Sequence, residues 1–465
     1  MFSASSSALT STAPIVARLP HVADCAPNWH QQRTREGPLF HVRMQRELGD
    51  AIEFATGAIS NAQISHPDDI ERVLRASHRE FHKGIAWTSF RVLVGDGLIT
   101  TEVARWQKHR RDLQPPFMRQ HHERFAQRVS QTVDETAAQW RARDGETLHV
   151  TTEMSRLTLH NAAHTLFGTD WMGEVAAISE RLARALQYLS KWYEYPVHKR
   201  VLGTYVSRTI HAQFRRDMNA LENVVRNLVK RRETVRRIGE EPDDLLKQLF
   251  DVAQNRGFNR WQRARFLRDN IFTFIFTGHE TTAICAAWTW HLLAQNPDAE
   301  AQLHAELHRV LDGRTPTRAD LPQLPFLRQI ILESLRLYPP VWLFLRQTSQ
   351  PEEIGGYTLP TNSVLSIYPF VTHRHRDFWD APDEFQPERF APDKLKSQHP
   401  FAYFPFGGGP RTCLGRQTAL AEAQIVIAGL AQHFRLRAVP DVEIRAIDTM
   451  TLLPSHDLPM ILQKR

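Results

Sequence analysis

The segment "FGGGPRTCLG", Phe406–Gly415, holds one of only three cysteines in a chain of 465 residues. Glycines before and after Cys413 let the backbone approach a bound group closely, and backbone N–H groups can then point at the sulfur. A thiol that binds a metal ion is deprotonated outright. The loop therefore predicts a thiolate ligand at Cys413, with Arg411 placed to pair with a carboxylate on the same bound group.

The composition is that of an ordinary globular protein. Apolar residues make up 42% of the chain, charged residues 23%, and the formal net charge of +7 is too dilute to indicate nucleic-acid binding. Cys25, Cys285 and Cys413 are far apart and odd in number, which excludes a disulfide framework and indicates a reducing compartment. Since no apolar run reaches the roughly 20 residues that span a bilayer, we expect a cytoplasmic protein without a transmembrane anchor.

The first twenty residues differ in character from the rest. Residues 1–20 are rich in serine and lack the order of a basic and then an apolar region that marks a secretion signal. Arg18 and the absence of early acidic residues give a faint similarity to an organellar transit peptide, so a targeting role stays open. We expect a disordered polar tail over 1–20 and a single folded domain over 21–465.

Helical periodicity dominates the remainder of the chain. It predicts helices over about 119–142, 152–168, 174–192, 205–237, 243–255, 259–294, 297–313 and 325–337. Strand patterns are few: a hairpin turning at Gly355-Gly356, short strands over 51–56 and 58–64, and the final "TMTLLPSHDLPMILQ". The predicted fold class is mainly α with small β-sheets, an α+β protein.

The segment "ESLR" places Glu333 and Arg336 on one face of the 325–337 helix. Such a pair is by default exposed and worth little. Here its neighbours are apolar, which favours burial, and a buried pair needs further partners to offset desolvation. Arg389 in "PERF" could supply the second cation.

Two more helical segments carry residues suited to chemistry. In "FTGHETT", Gly278 weakens the helix, Glu280 would be costly in apolar surroundings, and Thr281 can turn its hydroxyl back to a carbonyl one turn earlier. A kinked helix with an acid and a hydroxyl could deliver protons, although a packing glycine beside a solvated glutamate is an equal alternative. In "RWQKHRR", Trp106 and Arg110 share a helix face and could offer an indole N–H and a guanidinium to one anion.

These segments, in this order, resemble the cytochrome P450 family over about residues 35–465. The helix signature (A/G)Gx(D/E)T departs from the family pattern at Thr277, which leaves open the shape of the pocket above the iron. The helix signature matches at Gly278, Glu280 and Thr281. The family's cysteine-loop pattern, FxxGx(H/R)xCxG, matches at Phe406, Gly409, Arg411, Cys413 and Gly415. ExxR matches at Glu333 and Arg336, PERF at Pro387 to Phe390, and WxxxR at Trp106 and Arg110.

The resemblance implies a triangular prism of about a dozen helices, with haem b between the long central helix and the cysteine-loop helix. Cys413 would be the proximal iron ligand, whose thiolate pushes electron density toward the distal side and favours O–O cleavage. Phe406 and Gly415 would border the sulfur. Glu333, Arg336 and Arg389 would form a structural triad. The residues implied for the haem propionates are Trp106, Arg110, Arg346 and Arg411.

On the opposite side of the haem, Thr281 would support oxygen activation and Glu280 would help relay protons. The residues implied for the substrate pocket are Trp87, Phe90, Val92, Phe274, Thr277, Val341, Leu343 and Met450. This set is mostly apolar and predicts a lipophilic substrate, although core packing is an equal reading for each member. "LVGDGLITTEVARWQKHRRDLQPPF" and "LYPPVWLFLR" resemble the branch with terpenoid and fatty-acid hydroxylases, so the expected activity is O2-dependent monooxygenation of such a molecule.

Electrons are expected from an external ferredoxin or flavodoxin with its reductase, because the sequence shows no GxGxxG fingerprint and no cysteine set for an iron–sulfur cluster. Arg105, Lys108, Arg111 and Arg416 could form a basic surface for an acidic redox partner, or be independently solvated charges. We expect a monomer.

Three rival functions stay open on the sequence. "HAELH", His304–His308, and "HNAAH", His160–His164, each put two histidines on one helix face, as in a metal hydrolase, but without HExxH or an evident third ligand. A haem-thiolate peroxygenase, isomerase or sensor is the second alternative. The third is a binding or scaffold protein that merely retains the fold, against which the intact Cys413 and Arg411 argue.

Overall fold

The computed structural model describes residues 19–56, 59–76, 80–84, 87–118, 121–169, 174–194 and 208–465. The predicted polar tail, 1–20, lies outside the described residues except for its last two positions. The same holds for the predicted first residues of the helices starting near 119 and 205 and of the strand starting at 58. All other predicted elements fall within the described part.

The described residues form sixteen α-helices, and each of the eight helices predicted from periodicity is present. Their bounds are α1 Val22–Cys25, α2 Trp29–Glu36, α3 Leu39–Leu48, α4 Pro67–Arg75, α5 Thr88–Val94, α6 Val103–Leu113, α7 His122–Arg141, α8 Val150–Phe167, α9 Val175–Glu194, α10 Arg208–Arg237, α11 Leu245–Asn255, α12 Arg260–Gln295, α13 Pro297–Leu311, α14 Pro325–Leu337, α15 Pro369–Thr372 and α16 Arg416–Ala431.

Twelve short strands complete the described elements and confirm the mainly α class with small sheets. Their bounds are β1 Ala51–Thr56, β2 Ile59–Ile64, β3 Phe81–His82, β4 Thr147–His149, β5 Phe344–Thr348, β6 Glu352–Ile354, β7 Tyr357–Leu359, β8 Val364–Ile367, β9 Phe434–Ala438, β10 Ala446–Asp448, β11 Leu452–Pro454 and β12 Pro459–Lys464. β6 and β7 form the predicted hairpin around Gly355-Gly356.

One sheet has five strands in the order β1-β2-β8-β5-β3, and another has the order β4-β12-β9. In the first, β3 pairs antiparallel with β5, Phe81 opposite Thr348 and His82 opposite Gln347. This register carries the next residue, Lys83, toward Arg346. The sheet edge therefore brings two basic side chains from distant parts of the sequence to one place.

The long central helix α12 owes its limits to its sequence. Asn259 caps its first turn, accepting hydrogen bonds from the backbone N–H groups of Trp261 (3.1 Å) and Gln262 (2.9 Å). At the other end Asn296 is followed by Pro297, which cannot continue the helix. Between these limits α12 packs against α8, α11, α14 and α16.

α12 joins the two largest apolar cores of the described residues. Its first half supplies Phe266–Phe276 to a core shared with α8 to α11. Its second half supplies Ala283–Leu293 to a core shared with α7, α14 and α16. Because tight packing holds both halves, the polar segment between them, 277–282, sits at a fixed position in the middle of the protein.

Candidate active site

The cysteine loop is held in shape by its backbone. The Cys413 N–H donates to the Phe406 carbonyl at 2.9 Å, and Thr412 does so to Gly409 at 3.1 Å. Gly409 has a φ of +64°, and a Cβ there would overlap the Leu74 carbonyl oxygen of α4. Only glycine meets both conditions, so this position fixes the loop against the rest of the protein.

Three groups around Cys413 favour the thiolate form. Burial raises the pKa of the Cys413 thiol, while the Gly415 backbone amide, Arg110 and Arg416 each lower it. The Cys413 side chain is nevertheless exposed. A thiol in such a place is accessible to a bound group and surrounded by donors and cations that stabilise a negative sulfur.

The middle of α12 carries a group of partly accessible residues. Thr277, Gly278, Glu280 and Thr281 are half-buried, whereas their neighbours on either side along the helix are fully buried. The Thr281 hydroxyl donates to the Thr277 carbonyl at 3.0 Å, as predicted for a threonine in a helix. α12 continues through Gly278 without a break in its assignment, and a kink at this glycine stays a prediction.

Glu280 is an acid that stays protonated near neutral pH. Burial raises its pKa to about 8, an effect that the neighbouring Thr451 partly opposes. The Thr451 side-chain hydroxyl makes no other hydrogen bond of standard geometry, although the Thr451 backbone bonds to Thr449. Glu280 can therefore both give up and take back a proton under ordinary conditions.

Arg346 and Arg411 lie in a second internal group of charges, with Lys83 beside them. Arg346 and Lys83 are 8% and 6% exposed. Burial lowers the pKa of each arginine to about 10, and that of Lys83 falls well below its usual range; for all three cations Glu102 opposes this effect. We call Lys83, Arg346 and Arg411 the cation cluster.

Trp106 and Arg110 flank this cluster on α6. The Arg411 guanidinium lies over the Trp106 ring, 4.5 Å from its centroid, and also donates to the Thr101 carbonyl at 3.0 Å. Arg110 donates to the Thr412 carbonyl at 3.0 Å. The structure thus brings together all four side chains predicted for an anionic group, beside the cysteine loop.

Glu333, Arg336 and Arg389 meet in a buried ion-pair group, the Glu333 triad. Arg336 forms a two-pronged pair with Glu333 at 2.7 and 2.8 Å, and Arg389 reaches the same carboxylate at 3.0 Å. Glu333 and Arg336 are completely buried. Arg336 also donates to the carbonyls of His373, Pro382 and Glu384.

The chain is similar to known proteins over nearly its whole length. The family model described as Cytochrome P450 matches residues 19–463. The chain is 32% identical to cyclooctatin synthase of Streptomyces melanosporofaciens over 87% of this chain and 86% of that one. It is 29% identical to pentalenene oxygenase of Streptomyces avermitilis over 94% and 95%.

This chain belongs to the cytochrome P450 family. Among solved structures, the haem domain of cytochrome P450DA superposes with a TM-score of 0.85 at 24% identity, covering 97% of this chain and 98% of that one. A cytochrome P450 designated CYP102L1 gives 0.78 at 26% identity, covering 92% and 94%. The predicted fold is confirmed, and the protein is a haem-thiolate monooxygenase whose haem is held by a cysteine.

The residues of this P450 fit such a haem. Lys83 and Arg346 are buried and Arg411 is half-buried, and the one carboxylate whose charge acts on all three is Glu102, so positive charge is in excess here. The Thr101 hydroxyl and the Trp87 indole N–H are buried without a hydrogen-bond partner in the same region. An unpartnered buried donor is costly, so both observations indicate a polar ligand at this edge.

Lys83 and Glu102 were not predicted from the sequence. Lys83 lies against Trp87, with its ammonium 3.7 Å from the ring centroid, and donates to the Ile99 carbonyl. Its backbone N–H donates to Glu102 at 2.7 Å. The segment "FHKGIAW" contains a single lysine among mostly apolar residues, and a lysine is seldom buried without a partner. This pattern could have indicated that Lys83 has a partner elsewhere in the fold.

A further unpredicted acid, Glu422, lies behind Thr281 on α16. Burial raises its pKa to about 8, while Asn161 and Thr282 lower it. The Asn161 amide donates to Glu422 at 2.9 Å. Glu422 is nine residues after Cys413 on an apolar helix, and no local pattern predicts this contact. The contact depends on how α8, α12 and α16 pack.

Four of the predicted pocket residues come together beside α12. Phe90 and Phe274 belong to the core around its first half, and Trp87 and Met450 pack against that core. Thr277 lies on the same helix. Phe117, not predicted, stacks on Phe274 with ring centroids 5.5 Å apart.

The other pocket predictions fare differently. Val92 is 60% exposed and stays a prediction; at 100° per residue, two positions separate its direction from that of the buried Phe90. Leu343 packs with a separate group around Trp342 and Leu452. Val341 is half-buried between these groups.

The predicted surface basic residues differ in their ion pairing. Lys108, Arg111 and Arg416 are exposed. Arg105 is instead paired with Asp96 at 3.2 Å, on which Arg91 and Arg265 also converge. Among the described residues, no helix has the length and apolar character to cross a bilayer.

The histidine pairs offered for a metal hydrolase do not form a site. His304 is buried and faces Arg435, with 3.4 Å between the nitrogens, whereas His308 is exposed. His160 and His164 lie ring to ring with centroids 4.5 Å apart. Within the described part of the chain, no three histidine, cysteine or acidic residues are grouped to hold a metal ion.

Proposed function

We propose that this P450 inserts one oxygen atom of O2 into a terpenoid, with Cys413 as the haem-iron ligand. The observation that carries the proposal is the exposed side chain of Cys413 in a cysteine loop that is fixed against the fold, together with the partly accessible Glu280 and Thr281 in the otherwise buried middle of α12. The bound haem would supply the activation of O2. The chain's own residues hold the haem, exclude water and move protons.

The cation cluster, Trp106 and Arg110 would hold the haem propionates. Arg346 and Arg411 offer guanidinium forks that match a carboxylate, and the indole of Trp106 adds a ring face and an N–H. Phe406 packs beside the loop, and the Gly415 amide donates to the sulfur. The Glu333 triad would brace the segments on which this loop rests.

Glu280 and Thr281 would bring protons to the reacting oxygen. The Thr281 hydroxyl donates a hydrogen bond to the Thr277 carbonyl. Its lone pairs are therefore free to accept a hydrogen bond from a group bound beside it. Glu280 has its proton near neutral pH and can be reprotonated from outside. Together they form a short path from an acid to the centre of the site.

Replacing Thr281 by alanine tests this path. We expect Thr281→Ala to consume reductant at a comparable rate but to release more hydrogen peroxide and less oxygenated product, because proton delivery becomes disordered. Thr281→Ser is the matched control, since it keeps the hydroxyl. Unchanged product per reductant in the alanine variant would remove Thr281 from the mechanism.

The terpenoid class is supported by two observations. Similar proteins carry the names cyclooctatin synthase, pentalenene oxygenase and cyclooctat-9-en-7-ol 5-monooxygenase. Phe90, Phe274 and Phe117 give an apolar, aromatic wall that suits a compact hydrocarbon. None of the predicted lining residues is a cation, so a fatty-acid carboxylate would find no ion-pair partner among them.

A spectral titration of the ferric enzyme tests the substrate class. Cyclic terpene hydrocarbons and alcohols should displace water from the iron and give the high-spin shift at micromolar concentration. Fatty acids of matched carbon number should bind at least tenfold more weakly, a difference of about 1.4 kcal/mol. Preference for the fatty acids would replace the terpenoid proposal with the alternative lipid.

We further propose an external ferredoxin or flavodoxin as electron donor, docking near Lys108, Arg111 and Arg416, in a cytoplasmic monomer whose single domain spans 21–465. Turnover with a ferredoxin and its reductase should yield product when catalase is present. Product formed only with added peroxide would favour a peroxygenase, and product formed without any electron source would favour an isomerase. A monomer should elute from gel filtration at about the mass of one chain.

A further inference from the structure

Glu102 occupies an unusual place for an acid. It stands at the N-cap position of α6, yet its side chain makes no capping bond to that helix. Its carboxylate turns instead toward the end of β3 and accepts the Lys83 backbone N–H at 2.7 Å. The contact of this acid is therefore with β3 and not with the helix that it precedes.

What it meets is the cation cluster. Lys83, Arg346 and Arg411 lie together in one small space, of which Glu102 and Val103 form the opposite wall. Among the described residues, Glu102 is the acid whose charge acts on all three cations. The cations outnumber the one carboxylate, and the propionates of a haem would offset the excess positive charge.

The backbone beside Glu102 is strained. Val103 has a φ of +47°, in the left-handed region, and its side chain is 47% exposed. A β-branched residue rarely adopts this conformation, and burial of Val103 cannot be what maintains it. The strain persists because the neighbouring Glu102 is fixed by Lys83 and by the cations.

We propose that Glu102 is a positioning residue of the haem-carboxylate site, which ties the Lys83 end of β3 to α6 and supplies the third negative charge that the three cations require. This inference rests on the proposed function, since it takes Cys413 as the iron ligand and Arg346 and Arg411 as propionate partners. Glu102 would thereby set both the grip on the haem and the charge felt at its edge.

The two tasks can be separated by two variants. Glu102→Gln removes the charge but keeps an oxygen that can accept the Lys83 N–H. With one less negative charge nearby, an added electron is favoured, so the haem reduction potential should become more positive. The propionates should be held more tightly, and haem loss should slow by about three- to tenfold.

Glu102→Ala removes the charge and the acceptor together. Its potential should shift in the same direction as that of Glu102→Gln, because the charge change is the same. Haem loss should instead become faster than in the parent enzyme, because the end of β3 and Lys83 are no longer held. Opposite effects on haem loss with equal effects on potential are the signature of a residue with both tasks.

The experiment uses the haem-loaded enzyme and its haem-free form. Midpoint potentials come from spectroelectrochemical titration, haem loss from transfer to excess apomyoglobin, and stability from thermal unfolding of the haem-free protein, in which Glu102→Gln should unfold at lower temperature. Glu123→Gln, an exposed acid in the first turn of α7, is the control and should match the parent in all three.

Two results would overturn the proposal: a Glu102→Gln enzyme with the potential and haem loss of the Glu123→Gln control, or haem loss equally fast in Glu102→Gln and Glu102→Ala. Either would leave the spectrum of the reduced CO adduct intact. Failure of the proposed function is different, because the parent enzyme would then lack the red-shifted Soret band of a haem-thiolate protein.

Discussion

The Glu333 triad and the cation cluster both bury arginines, but they are compensated in different ways. In the triad, the five hydrogen bonds of Arg336 run to one carboxylate and three backbone carbonyls, all within 2.6–2.9 Å. In the cation cluster, Arg346 donates to the carbonyl of its own neighbour, Leu345, at 2.8 Å. Its pKa is held down by burial, with only Glu102 opposing.

The difference teaches which buried charges belong to the fold and which belong to a ligand. A buried ion whose partners are all in the chain is a fixed part of the structure, and removing one partner leaves an uncompensated charge. A buried cation with too few partners is costly in the protein alone. Such a deficit indicates an anionic ligand, for which we propose the propionates of the haem.

The largest effect is expected at the triad. Glu333→Gln leaves Arg336 and half-buried Arg389 without their carboxylate, and breaking a buried pair in this way costs about 3–5 kcal/mol. We expect the variant to unfold at markedly lower denaturant concentration with or without haem. Glu388→Gln, an exposed acid in the same "PERF" segment, is the control and should unfold like the parent.

Urea unfolding followed by circular dichroism measures both variants. If Glu333→Gln lost only haem and kept the unfolding midpoint of the haem-free parent, the triad would resemble the cation cluster. The distinction between the two groups would then fail.

At the cation cluster, the same kind of change should act in opposite directions on the two forms of the protein. Arg346→Met removes a surplus buried charge, so the haem-free form should be as stable as the parent or more so. Losing a charge-assisted pair with a propionate should make haem loss faster by about 10- to 100-fold, or about 1.4–2.8 kcal/mol.

Arg346→Lys is the matched variant, since it keeps the charge but loses the fork. It should fall between the parent and Arg346→Met in haem loss. Thermal unfolding of the haem-free protein and transfer of haem to apomyoglobin give the two readouts. A haem-free Arg346→Met protein as unstable as Glu333→Gln would show that Arg346 belongs to the fold.

The sequence was sufficient where a pattern is local. Periodicity and caps gave the helices, including α12 from Asn259 to Asn296, and spacing along a helix paired Glu333 with Arg336. The cysteine loop could be interpreted from its glycines and arginine. Each of these features depends on residues that are close together in the sequence, so it can be predicted without knowledge of the tertiary packing.

The sequence failed where charges meet across the fold. Lys83 reaches Arg346 only through the antiparallel register of β3 and β5, and Glu102 meets both through the start of α6. The burial of residues on α5 was also hard to predict, because a short helix with few turns has no clear periodicity. Compensation of buried charge is a property of tertiary packing, which single residues do not reveal.

Glu422 is a third kind of buried charge and allows a smaller, sharper test. Its partners Asn161 and Thr282 are neutral, so the carboxyl keeps its proton rather than pairing with a cation, and burial raises its pKa to about 8. The folded state then binds a proton that the unfolded chain, with a pKa near 4.5, has already lost. Stability from this group is complete below about pH 4.5 and is lost as the pH rises toward 8.

We therefore expect Glu422→Gln to flatten the fall in unfolding free energy between pH 6.5 and pH 8, by about 1.5 kcal/mol. This window avoids the buried histidines, such as His373 with a pKa lowered to about 3, whose contribution changes only below about pH 6.5. Glu280, with its own pKa near 8, should leave a residual slope. Urea unfolding at each pH measures the difference. If the slope of unfolding free energy against pH were unchanged in Glu422→Gln, Glu422 would be ionised in the folded protein. Neutral donors alone would then be able to hold a buried carboxylate in this chain.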